Sequence, residues 1–106
     1  MFRTAIKYYR QSLRLFAETG HIPLLVSVLI SVARVFQAQG QISHAVEMLA
    51  CVISHPKTYP SDVLFAEEML AEVRPLLSPD DFAAAYEQGK SLDLDTVVAE
   101  LLATPA

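Results

Sequence analysis

Residues 22–40 read IPLLVSVLISVARVFQAQG, and the reading of this run decides the fold. From Leu24 to Ala33 only Ser27 and Ser31 interrupt the apolar residues, and Arg34 carries the first charge. Three readings compete: a membrane span, a secretory signal, or a helix enclosed by protein. A bilayer crossing takes roughly 20 consecutive apolar residues, and this run is about half that before Arg34 and two glutamines follow. A signal sequence would place a short apolar segment and a small-residue cleavage site at the start. The chain opens instead with MFRTAIKYYRQSLRLF, which is charged throughout. The remaining reading is a helix that starts near Pro23, a residue suited to a first helical turn, and stops at Gly40. Its polar positions, Ser27, Ser31 and Arg34, form one thin line, so neighbouring elements must cover at least two of its sides.

The segments on either side are helical as well. Phe2, Ile6, Tyr9, Leu13 and Phe16 alternate spacings of four and three, which puts them on one face of a helix over about residues 2–18. Arg3, Lys7, Arg10 and Arg14 recur in the same way beside them, and Gly20 supplies a stop. A third helix is expected over 42–54 with Ala45, Val46, Leu49, Val52 and Ile53 inward, followed by the loop HPKTYP. A fourth begins near Pro60 with Asp62 in its first turn and runs to about Arg74, with a bend at Pro75. SPDDF reads as a helix start, with Ser78 as N-cap and Pro79 at the first position. That fifth helix is expected to close at Gly89. Asp93 caps a sixth over 94–103, with Leu94, Val97, Val98, Leu101 and Leu102 apolar. The fold class is therefore all-α: six helices, short loops and no strand.

Composition agrees with this reading. The 106 residues are 53% hydrophobic with a mean hydropathy of +0.34, three glycines and no tryptophan, which suits one small helical domain. The net charge of −4 argues against direct nucleic-acid binding. Residues 1–53 hold five Lys/Arg against two Asp/Glu, whereas residues 54–106 hold three against ten. One half is basic and the other acidic, a split that favours head-to-tail or reciprocal pairing. Cys51 is the only cysteine, so no internal disulfide forms, and a cytoplasmic setting is expected.

The order helix, glycine turn, helix, glycine turn, helix is what stacked helical hairpins produce. Ala5, Tyr9 and Leu13 also precede Ala45, Leu49 and Ile53 by 40 residues. With Gly40 at the turn, Leu29, Val32, Ala33 and Phe36, then Ala45, Leu49 and Val52, fall on the signature positions of a tetratricopeptide (TPR) repeat. The segment resembles that family, with Leu29 in place of the usual Trp, Val52 in place of the last Ala, and the closing Pro displaced to Pro56. AIKYYRQSLRLFAETGH resembles the second helix of a preceding repeat, with Ala5, Tyr9 and Ser12 in the matching places. Residues 41–103 are similar to the C-terminal end of TPR arrays in MalT-like and AfsR-like bacterial regulators.

The resemblance implies a short right-handed superhelix of antiparallel hairpins within a single domain. Residues 1–20 would form a half repeat, 22–55 a complete hairpin and 60–104 irregular capping helices. It implies a non-catalytic protein–protein interaction module in signalling or transcriptional regulation, without a cofactor, metal or membrane. The alternative is an end domain that senses a small effector between the capping helices and the solenoid. Because the first helix lacks a hairpin partner, its face is expected to be covered by upstream repeats of a larger protein or by a second copy, as in a homodimer. The candidate interaction residues are Phe2, Arg3, Ile6, Lys7, Tyr9, Arg10, Leu13 and Arg14. The basic row among them reads either as a solvated face or as a docking surface for an acidic partner.

No residue pattern points to catalysis. His21, His44 and His55 have no metal-ligand spacing and read as surface or capping groups. Cys51 lies among Leu49, Ala50 and Val52 and reads as an inert, partly buried thiol. Glu67, Glu68, Glu72, Asp80 and Asp81 read as a solvated face and helix N-terminal charges.

Overall fold

The computed structural model describes the backbone of residues 2–103 and the side chains of residues 4–103. Six α-helices account for most of this span: α1 (Phe2–Thr19), α2 (Ile22–Ala38), α3 (Ile42–Ser54), α4 (Pro60–Val73), α5 (Pro79–Ser91) and α6 (Leu94–Ala103). No strand occurs among the described residues.

The first two connections are the same turn built twice. Gly20 and Gly40 have φ of 73° and 80°, a conformation that residues with a Cβ avoid. The amide of His21 donates to Phe16 O at 3.0 Å, and that of Gln41 to Phe36 O at 2.9 Å. Each bond runs from the residue after the glycine to a carbonyl in the last helical turn, as in a Schellman cap. The next residues match too: His21 has φ −82° and ψ 71°, and Gln41 has φ −88° and ψ 68°. Identical turns reverse the chain twice, so α1, α2 and α3 pack in sequence, α1 on α2 and α2 on α3.

Helix α3 is the centre of the molecule. Ala45, Val46 and every residue from Met48 to Val52 are buried, because α2, α4 and α5 all pack on it. The loop after it is held by a Thr58 hydroxyl donating to Val52 O at 2.6 Å and by His55 Nδ1 accepting from the Lys57 amide at 3.1 Å. Helix α4 stops at Val73, and the chain passes through a single 3-10 turn, Arg74–Leu76, at the expected proline. The Ser78 hydroxyl then accepts from Asp81 N at 3.1 Å, and the Asp93 carboxylate from Thr96 N at 3.2 Å, so both expected caps form.

The fifth helix does not close at Gly89. It continues to Ser91, and Gly89 lies buried within it. A Cβ there would run into the Glu47 carbonyl oxygen and stand 2.7 Å from Ala50 Cβ. The glycine serves a helix crossing rather than a helix end: α5 meets the backbone of α3 at this point.

Helix α6 turns back to pack on α1, so the last helix covers the first. The radius of gyration is 12.9 Å, in line with the roughly 13 Å of a compact chain of about 100 residues. No helix among the described residues is long and apolar enough to cross a membrane.

Candidate interaction surface

The apolar side of α1 is largely taken up within the chain. Leu13 is 1% exposed and joins the core; Tyr9 and Phe16 pack against it, and Ile6 is half-buried. The expectation that this face awaits an outside partner therefore changes, because α2 and α6 occupy it. The basic row divides as well. Arg10 Nε donates to Leu101 O at 3.0 Å, placing a cation at the carbonyl end of α6, where the helix dipole favours it. Lys7 and Arg14 are exposed, and neither pairs with an acidic group among the described residues. The side chains of Phe2 and Arg3 lie outside the described residues.

What α1 offers to solvent is a different stripe. Tyr8 is 64% exposed and Leu15 54%, seven residues apart. Lys7 and Arg14 repeat the same interval beside them, with Gln11 between the two rows and also exposed. At a period of 3.6 residues, a seven-residue interval returns to nearly the same side of the helix. Sequence periodicity alone did not single out Tyr8 and Leu15. Their mutual spacing is the signal, once the inward set is assigned to Leu13 and its neighbours.

Helix α4 carries an exposed stripe of opposite charge. Ala66, Met69, Leu70 and Val73 face the core, leaving Leu64, Glu68, Ala71 and Glu72 outside. Leu64 is 63% exposed. Within Pro60–Val73 there are four carboxylates and no base. One of them, Asp62, is engaged inside the chain. Its Oδ2 accepts from the Ser27 hydroxyl at 2.5 Å, and that hydroxyl also lies 3.0 Å from Pro23 O. Nearby, the Arg34 guanidinium stands 5.2 Å from the centre of the Phe65 ring, within cation–π range. The thin polar line of α2 is thus partly used to seat α4.

Between α4 and α5 runs a groove of about 400 Å³. Ile53 of α3 forms its floor, Glu67, Leu70 and Ala71 one wall, and Phe82 and Tyr86 the other, with Arg74 at one end. The two rings stack at 6.2 Å, the Arg74 guanidinium lies 5.1 Å from Phe82, and Lys90 Nζ lies 5.9 Å from Tyr86. Two cations thereby bracket an aromatic pair.

Other polar residues stay apart. His21 is an exposed N-cap whose ring meets Phe16 edge-on, His44 stands 3.7 Å from Glu47, and His55 shapes the α3–α4 loop. Among the described residues no three His, Cys, Asp or Glu converge as a metal site. Glu67, Glu68, Glu72, Asp80 and Asp81 are exposed. Cys51 is more enclosed than the expected partial burial, at 4% exposure. Burial pushes its thiol above the ordinary range, and the Asp93 carboxylate adds to the shift. A thiol held protonated in this way is a poor nucleophile.

No family model, curated protein or solved structure matches the chain.

Proposed function

We propose that the chain is a non-catalytic, TPR-like protein–protein interaction module, acting in the cytoplasm within bacterial signalling or transcriptional regulation. The observation that carries this reading is the pair of duplicate glycine turns joining α1, α2 and α3. Repeated turn geometry is a property of helical-hairpin arrays. Support also comes from Leu29, Val32, Ala33, Ala45, Leu49 and Val52, all at most 2% exposed, while Phe36, the remaining signature residue, is half-buried against the core. Such modules act by presenting helix faces, and here α1 and α4 present theirs. The setting in a regulator rests on the sequence resemblance alone.

Photocrosslinking in the producing cell, from a reactive residue placed at Leu15 or Leu64, tests the reading. A defined protein adduct from either position is expected. Adduct-free protein at both positions would overturn it.

The groove between α4 and α5 favours a second reading, an end domain that binds a small effector. Its aromatic wall and the Arg74 guanidinium suit a planar, anionic ligand. Titration calorimetry with planar aromatic carboxylates separates the two. Heat that disappears in Phe82→Ala and Arg74→Ala supports the effector reading, and no heat supports the module.

A further inference from the structure

We infer that the partner of the α4 stripe is the α1 stripe of a second copy of this chain. The inference rests on the interaction-module reading and names its occupant. The two surfaces match in three respects. In charge, Lys7 and Arg14 stand on one side, and Glu68 and Glu72 on the other, all exposed and without an ion pair among the described residues. In apolar content, Tyr8 and Leu15 lie seven residues apart on α1, and Leu64 and Ala71 seven apart on α4. In length, the fourteen residues of α4 span ~21 Å, and the exposed part of α1 from Thr4 to Glu18 spans about the same.

The two stripes belong to different helices, and α2 packs against both. Each contact therefore joins α1 of one copy to α4 of another, reciprocally in a two-fold dimer or head-to-tail in a chain of copies. Exposed charge pairs contribute little affinity singly, at about 0–1 kcal/mol each. They select the register and the partner, while the apolar rows supply the buried area. Like-helix pairings are disfavoured, since α1 on α1 opposes bases and α4 on α4 opposes carboxylates. A single helix-on-helix seam is smaller than a standard interface of about 1,600 Å², and its exposed charge pairs make the association weaken as salt rises.

Sedimentation equilibrium of the full chain over the micromolar range tests this, with circular dichroism verifying the fold of each variant. Wild-type protein is expected to self-associate. The Lys7→Glu/Arg14→Glu and Glu68→Lys/Glu72→Lys variants should each associate at least about tenfold more weakly alone. Their equimolar mixture should recover wild-type association, because every α1–α4 contact between unlike copies again opposes unlike charges. Monomeric wild-type protein, association indifferent to both variants, or a mixture without recovery would each overturn the inference. If the wild type is monomeric while crosslinking from Leu15 or Leu64 captures a different protein, this inference fails and the module reading stands. If crosslinking captures no protein, both fail.

Discussion

The Arg10 side chain reaches Leu101 O, 91 residues away, and joins the first helix to the last. Helix α6 ends within a few residues of this contact, and its final carbonyls have no partners inside the helix. The guanidinium supplies one and places a positive charge at the negative end of the dipole. Helix α6 thereby covers part of α1.

Removing this link should loosen the end of the molecule before its centre. Arg10→Ala is expected to cost about 1 kcal/mol and to raise amide exchange in α6 while leaving α3 protected. Hydrogen-exchange mass spectrometry reads both. Equal loss of protection in α3 and α6 would show that the contact supports the whole core rather than one end.

Gly89→Ala should destabilise the protein although alanine is the better helix former. Propensity alone would stabilise by about 1 kcal/mol, but the new methyl meets the backbone of α3 at Glu47. Forcing the two helices apart is expected to give a net loss of about 2 kcal/mol. Urea denaturation measures it, and an increase in the midpoint would contradict the close crossing.

The α2–α3 hairpin should be intolerant of volume change. Ala33 and Leu29 are fully buried. Ala33→Trp is expected to prevent normal packing of the hairpin, and Leu29→Ala to cost about 2–5 kcal/mol. Leu15→Ala, on the outer side of α1, should stay within about 0.5 kcal/mol in the monomer. Thermal melts of the three variants at low concentration test the contrast.

Cys51 should report on unfolding. Its folded thiol titrates above the unfolded value, so the folded state keeps its proton over a range in which the unfolded chain loses it. Its contribution to stability is therefore intact below the unfolded thiol pKa of about 8.5 and declines as pH rises above it. A Cys51→Ser protein should show a shallower loss over that alkaline range. Labelling by a thiol reagent at neutral pH should follow global unfolding and stay slow in native buffer.

Which parts of this architecture are local explains what was legible from the residues alone. The helices, the turns at Gly20 and Gly40 and the caps at Ser78 and Asp93 each depend on residues within a few positions of one another. A periodicity of 3.6, a positive φ and a side chain reaching the third amide ahead are properties of short segments, and the amino-acid order determines them directly. The inward face of α2 follows for the same reason, since Ser27, Ser31 and Arg34 leave a single polar edge.

The tertiary structure decided the rest. Gly89 ends a helix by local rules and became a crossing point because α5 lies on α3. Met48, Ala50 and Cys51 are buried beside the expected inward residues because α3 is covered on several sides. Arg10 leaves the basic row because α6 folds back to it, and Tyr8 and Leu15 remain outside because none of the described helices covers them. Each outcome depends on contacts between segments distant in sequence, and local periodicity carries no information about which helix will arrive to make them.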